Sequence, residues 1–152
     1  MDSNKIIVRS VLVSDLAAIL DLIVELAVFE RAGNEVVVTL DELTKDFQDG
    51  VFEAQVAVAE NGEILGMTLY YLTYSTWKGK MMYLEDFVVR PEFRRQGIGQ
   101  LLFDATISEA KRQGCKLMKW QVLDWNDTAI EFYNKYEATF ENEWLNVKLF
   151  FR

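Results

Sequence analysis

Two adjacent carboxylates, Glu85 and Asp86, interrupt a run from Lys80 to Arg90 that is apolar at most positions. Apolar residues on both faces are typical of a central strand that is covered twice. Burying an unpaired charge is costly, so these acids need partners or a wet cleft. Because successive strand residues point to opposite faces, each face should receive one carboxylate. They are either structural groups bonded to backbone or to Lys/Arg, or the anchor and proton acceptor for an ammonium group.

A turn rich in glycine and arginine, Arg94 to Gly99, separates this strand from a helix that the sequence predicts to Arg112. The first N–H groups of a helix lack internal partners and carry partial positive charge. Gly97 and Gly99 permit close backbone approach, and the arginines add donors suited to phosphate. The turn is therefore either a pyrophosphate cradle or a plain helix start with surface arginines. A P-loop needs Gly-Lys-Ser/Thr at this point, but Gln100 follows Gly99, so a P-loop is excluded. A dinucleotide-binding fingerprint needs a third Gly or Ala where Leu102 stands.

The composition limits the chemistry. The chain has 152 residues, a single cysteine (Cys115) and no histidine, which excludes an internal disulfide, Ser-His-Asp catalysis and a histidine zinc site. Proton transfer must fall to carboxylates, Tyr, Lys, Cys or water. A net charge of −8 argues against nucleic-acid binding, and the longest apolar stretch is too short and too charged to span a bilayer. We expect one cytoplasmic domain over residues 1–152, with no metal and no membrane partner.

Hydrophobic periodicity and turn signals predict alternating strands and helices. Ser14 is predicted to cap the first helix, Thr39 and Glu42 to form a capping box for the second, and Asn126 to cap the last. Strands are predicted at 5–9, 54–59, 64–74, 80–90, 117–123 and 144–151. Helices are predicted at 15–31, as a shorter segment opened by residues 39–42, after the turn at 94–99 to about 112, and after the cap at 126 to about 136. The order predicts a mixed α/β (α+β) sandwich.

The turn Arg94-Arg95-Gln96-Gly97-Ile98-Gly99 resembles that of the GNAT superfamily of acetyl-CoA-dependent N-acetyltransferases. Further segments narrow the resemblance to the diamine (spermidine/spermine) acetyltransferases and their thialysine-acetylating relatives. These segments are 25–30, 74–80, 83–89, 122–126 and 132–133, in the same order along the chain. Ser75 and Thr76 stand before Trp77, where the diamine enzymes carry an acid. A lysine-like substrate is therefore at least as well supported as a polyamine.

The resemblance implies a GNAT-type fold, acetyl-CoA as acetyl donor and direct attack by a primary amine in a ternary complex. It implies Glu85 as the proton acceptor, with Asp86 as an alternative, and Tyr133 as the general acid for the CoA sulfur. Cofactor contacts are implied at backbone N–H groups of Phe87, Val88 and Val89, at Asn126 and Tyr133, and at Arg94, Arg95, Gln96, Gly97, Ile98, Gly99 and Gln100.

Candidates for the amine-binding cleft are Phe29, Glu30, Trp77, Glu85 and Asp86. The relatives imply a homodimer. Cys115 has no histidine to activate it, so a buried inert thiol is expected there and not an acetyl-enzyme. Two other functions stay open: a non-catalytic acetyl-CoA-binding sensor, and acetylation of protein lysines or N-termini.

Overall fold

A computed structural model describes residues 5–151. Its strands and helices, in chain order, are β1 (Ile7–Ser10), α1 (Leu16–Phe29), α2 (Leu40–Gln48), β2 (Glu53–Val58), β3 (Ile64–Ser75), β4 (Gly79–Val89), α3 (Ile98–Arg112), β5 (Leu117–Lys119) and α4 (Asp127–Asn134). The chain divides into two compact units, the first ending at Gln121 and the second beginning at Val122. The five strands and the first three helices lie in the first unit.

The strands form one mixed sheet in the order β1-β2-β3-β4-β5. The first four pair antiparallel, and β5 joins β4 in parallel. The two faces of this sheet are covered by different helices. Leu16, Ile19 and Leu22 of α1 pack with Val56 and Met67 in one buried cluster, and Ile98 and Leu102 of α3 pack with Ala57 and Leu65 in another. The predicted mixed sheet with flanking helices is confirmed.

Several local predictions are confirmed by side-chain geometry. The Thr39 hydroxyl accepts from the Glu42 N–H at 3.1 Å and the Glu42 carboxylate accepts from the Thr39 N–H at 3.1 Å, so the capping box is present. Asn126 Oδ1 accepts from the Ala129 N–H at 3.3 Å and caps α4. Gly114 follows α3 with a left-handed φ of 79°, as a helix-stop glycine should.

Three element predictions are wrong. A single 3-10 turn at Val13–Asp15 precedes α1, so Asp15 and not Ser14 is the N-cap residue of α1. The Asp15 carboxylate accepts from the Leu12 N–H at 2.7 Å and from Arg9, which stabilises the 3-10 turn. The strand β5 ends at Lys119 instead of 123. Residues 144–151 form no strand, since no described strand pairs with them, and strand geometry needs such a partner for its backbone groups.

Candidate active site

A β-bulge in β4 places the two adjacent carboxylates. The β3–β4 register runs regularly from Ser75↔Gly79 to Tyr70↔Leu84, and then Leu69 pairs with Asp86. Glu85 is therefore the extra residue, with no partner opposite it in β3. A bulge bends its strand and re-aims the side chains beside it, so the strict alternation of faces ends here.

The Glu85 side chain is exposed and is held from the neighbouring strand. The Tyr71 hydroxyl donates a hydrogen bond to Glu85 Oε1 at 2.8 Å. The Tyr71 ring stacks on Tyr83, with ring centroids 5.5 Å apart and an interplanar angle of 25°. Tyr71 pairs with Tyr83, two residues before Glu85, and is a site residue that the sequence reasoning missed, because its hydrogen bond to Glu85 depends on how β3 and β4 meet at the bulge.

Asp86, Glu85 and Glu30 form one acidic cluster. The pKa of Asp86 is raised to about 7, first by burial and then by the charges of Glu85 and Glu30. The pKa of Glu30 is raised by partial loss of hydration and then by the charge of Glu85. The prediction of one carboxylate on each face is wrong, because the bulge lets consecutive residues share the side of the sheet on which Leu69 and Tyr71 contact the α1 cluster. Three anionic groups this close favour a cationic ligand.

The turn before α3 leaves space for a ligand. Gly97 is the N-cap of α3, with a left-handed φ of 80° and ψ of 5°, and a Cβ added there would meet nothing within 4 Å. Gly99 differs, since its Cβ would lie 3.5 Å from the Phe87 ring, so it serves helix–sheet packing. Arg95 holds a left-handed φ of 65°, a conformation that a non-glycine residue adopts at a cost and often at functional sites.

The side chains of this turn point in two directions. Ile98 is only 1% exposed and anchors the helix start in the core, so only its backbone can face a ligand. Arg94, Arg95, Gln96 and Gln100 are exposed. The Arg94 Nε donates to the Val89 carbonyl at 3.2 Å, and its guanidinium lies over the Phe29 ring, 5.6 Å from the centroid. Arg94 of the turn is therefore in contact with Phe29 at the end of α1.

The outer edge of β4 provides further backbone donors. Pairing with β5 covers only Met81 to Tyr83, because β5 ends at Lys119. The Arg90 N–H donates to the Leu65 carbonyl of β3 at 2.9 Å. Because N–H directions alternate along a strand, the Val88 N–H also points toward β3, and those of Phe87 and Val89 point to the opposite edge of β4, beyond the part that β5 covers. Of the three backbone N–H groups predicted, Val88 is thus the one that the pairing directs away from a ligand.

Trp77 lies apart from the acidic cluster. It is 82% exposed in the turn that joins β3 to β4. Gly79, where β4 begins, is already six residues from Glu85, or roughly 20 Å of strand. The structure does not bring Trp77 together with Glu30, Glu85 and Asp86.

The second unit carries the other predicted residues. Asn126 caps α4 as described above, so the prediction that it is a helix cap is confirmed. Tyr133 lies in the last turn of α4, is 7% exposed and contacts the ring of Phe132 edge-on, with centroids 5.8 Å apart. A phenol in such surroundings can be a proton donor, since its ordinary pKa is about 10.

Cys115 is half-buried, and burial raises the pKa of its thiol, so it is a poor nucleophile at neutral pH. Over residues 5–151, no group of three or more His, Cys, Asp or Glu side chains is arranged to hold a metal ion. Within the same range, no helix has both the length and the apolar character needed to cross a membrane.

Comparison with known proteins decides the family. The model of the acetyltransferase (GNAT) family matches residues 20–137, which include the acidic cluster, the turn and Tyr133. The chain belongs to this family. It is therefore an N-acetyltransferase by descent, as the resemblance in the sequence implied.

Two curated proteins and one solved structure show which members of the family this chain is similar to. A thialysine N-epsilon-acetyltransferase of Caenorhabditis elegans is 37% identical over 116 residues, covering 76% of this chain and 72% of the relative. The Bos taurus protein of the same name is 36% identical over 137 residues, covering 84% of this chain and 81% of the relative. An aminoglycoside acetyltransferase from an uncultured soil metagenomic sample shares the fold, with a TM-score of 0.80, 23% identity and 98% coverage of each chain.

Proposed function

We propose that this chain works as one acetyl-CoA-dependent N-acetyltransferase domain whose acceptor is the primary amine of a small molecule. The observation that carries the proposal is the cluster of Glu30, Glu85 and Asp86. Burial and then the repulsion of Glu85 and Glu30 raise the pKa of Asp86 to about 7. An ammonium group relieves that repulsion, so a cationic amine binds there in preference to a neutral or anionic molecule.

The cofactor would be held by the turn before α3. The open space beside the Gly97 Cα lets the pyrophosphate approach the N–H groups of Ile98, Gly99 and Gln100, where the helix dipole favours an anion. Arg94, Arg95 and Gln96 line the same turn as exposed donors. Backbone N–H groups of Phe87 and Val89, on the edge of β4 beyond the part that β5 covers, are suited to the pantetheine arm and the thioester carbonyl. When bound, acetyl-CoA supplies an activated acetyl group.

The amine must lose a proton before it can attack, because a primary ammonium has a pKa of about 10. In the proposed mechanism, Glu85 accepts that proton, directly or through water. Asp86 is the alternative acceptor, since a pKa of about 7 is well matched to proton transfer at neutral pH. Tyr133 then donates its phenolic proton to the departing thiolate, and Asn126 contacts the cofactor in addition to capping α4. Phe29 and Glu30 line the amine side, and Trp77 is left out because of its distance along the hairpin.

The names of the relatives favour a lysine analogue as the acceptor. Both curated relatives described above are thialysine N-epsilon-acetyltransferases. In this chain Ser75 and Thr76 precede Trp77, where the resemblance to the diamine enzymes implies an acid that would attract the second ammonium of a polyamine. We therefore propose thialysine or a lysine-like amine, with diamines and polyamines as the second class.

The test is the release of free CoA thiol from acetyl-CoA with a panel of amines: thialysine, lysine, putrescine, spermidine and spermine. Fast release with thialysine or lysine supports the lysine-like acceptor, and fast release only with the polyamines overturns that part of the proposal. Binding of acetyl-CoA without release for any amine overturns the small-molecule acceptor and favours a sensor or a protein substrate.

We also propose that the protein is a homodimer in the cytoplasm. Six apolar side chains of the C-terminal segment are 69–90% exposed: Trp144, Leu145, Val147, Leu149, Phe150 and Phe151. An apolar segment this exposed is typical of a surface that another chain covers. The free thiol of Cys115 fits a reducing compartment.

A further inference from the structure

The β-bulge that sets the direction of the Glu85 side chain also leaves Glu85 without a cross-strand partner in β3. A regular strand residue is fixed by a partner opposite it, whereas Glu85 has none, because the register passes from Leu84 directly to Asp86. Its side chain is exposed and would sample several rotamers in water. A proton acceptor that must meet an amine within hydrogen-bond distance cannot act efficiently from such an ensemble.

Tyr71 supplies the missing constraint. Its hydroxyl donates to Oε1 of Glu85 at 2.8 Å, which leaves Oε2 to accept a proton from the amine. Burial, followed by the hydrogen bond to Glu85, raises the pKa of Tyr71. The phenol therefore stays protonated and remains a donor at any pH at which the enzyme would be assayed.

The Tyr71 ring is itself fixed. It packs against the buried cluster of the α1 side and stacks on Tyr83, its direct cross-strand partner. The bulge, the cross-strand stack and the hydrogen bond thus form a short chain of contacts that ends at one oxygen of Glu85.

We infer that Tyr71 is a positioning residue that orients Glu85 for removal of the amine proton. The inference rests on the proposed function, in which Glu85 is the acceptor. Tyr71 touches neither the amine nor the cofactor in this role and acts only through Glu85. The local sequence does not distinguish Tyr71 from the three other tyrosines nearby, at positions 70, 74 and 83.

The experiment is a double-mutant cycle of Tyr71→Phe and Glu85→Gln, with acetyl-CoA and thialysine as substrates. Tyr71→Phe keeps the ring stack and removes only the hydroxyl, and it should lower kcat about tenfold, as expected for a lost bond to a charged group. The KM for acetyl-CoA should stay within about twofold. Tyr83→Phe is the matched control, because it removes a hydroxyl from the other ring of the same stack, and it should keep wild-type kcat.

The double variant separates positioning from general structural support. If Tyr71 acts through Glu85, Tyr71→Phe has no further effect on kcat in the Glu85→Gln background. Additive losses, or equal losses in Tyr71→Phe and Tyr83→Phe, would overturn the positioning role. A Glu85→Gln enzyme with wild-type kcat would instead overturn the role of Glu85 in the proposed function, which is a distinct outcome.

Discussion

The raised pKa of Asp86 predicts an unusual pH dependence of stability that Asp86→Asn should remove. A carboxyl whose pKa rises from the ordinary 3.8 to about 7 in the folded chain makes ionisation costlier in the folded than in the unfolded state. At about 1.4 kcal/mol per pKa unit, the cost is roughly 4 kcal/mol once the group is fully ionised. Between about pH 4 and 7 the folded state binds more protons than the unfolded state, so the Asp86 contribution makes stability fall as pH rises.

Asn has nearly the same shape as Asp and does not titrate. About 1.6 kcal/mol of this cost is already present at pH 5, because pH 5 lies about 1.2 units above the ordinary pKa of 3.8. We therefore expect Asp86→Asn to be more stable than wild type by about 1.6 kcal/mol at pH 5 and by roughly 4 kcal/mol at pH 8. The assay is urea unfolding followed by far-UV circular dichroism at pH 5, 6, 7 and 8. Asp21→Asn, at an exposed position of α1, is the control that removes one carboxylate outside the acidic cluster.

A difference between wild type and Asp86→Asn that does not change with pH would refute the reasoning. It would mean that Asp86 ionises as easily in the folded chain as in the unfolded one, and that Glu30 and Glu85 do not act on it. The acidic cluster would then lose its electrostatic basis as an amine site.

Three further predictions follow from other parts of the structure. Tyr133→Phe should lower kcat at least about 100-fold, the usual contribution of a general acid, and leave acetyl-CoA affinity within about twofold; an unchanged kcat would remove Tyr133 from the mechanism. Gly66→Ala should cost about 1–3 kcal/mol in urea unfolding, because the new Cβ would lie 2.7 Å from a main-chain carbonyl of β4, whereas Gly99→Ala, with ordinary contacts, should not destabilise the protein. Replacing Val147 and Leu149 by Asp should convert a dimer to a monomer in sedimentation velocity; a monomeric wild type would contradict the proposed dimer.

Features set by a few neighbouring residues were predictable from the sequence. The capping box at Thr39 and Glu42, the cap at Asn126 and the stop at Gly114 each depend on contacts within one helical turn. The sheet and the order of its elements followed from periodicity and turns. The glycine and arginine turn was also found at the start of a helix, as its sequence indicated.

Features set by pairing between distant segments were not predictable. The bulge at Glu85 depends on how β3 and β4 meet, and no local pattern marks it, so the shared side of Glu85 and Asp86 and the contact with Tyr71 were both missed. The strand expected at 144–151 has the right alternation of apolar residues, yet pattern alone cannot supply a hydrogen-bonding partner. The exposed position of Trp77 likewise follows from the length of the β3–β4 hairpin.

The central claim is that the start of α3 binds acetyl-CoA, and two glycines at the ends of that helix test it most directly. Gly97 and Gly114 have nearly the same left-handed φ, 80° and 79°, and a Cβ at either would meet nothing within 4 Å. Alanine at either position should therefore carry the same conformational cost of roughly 1 kcal/mol. Isothermal titration calorimetry with acetyl-CoA should show affinity weakened at least about tenfold in Gly97→Ala and unchanged in Gly114→Ala. Equal affinities in the two variants would contradict the claim.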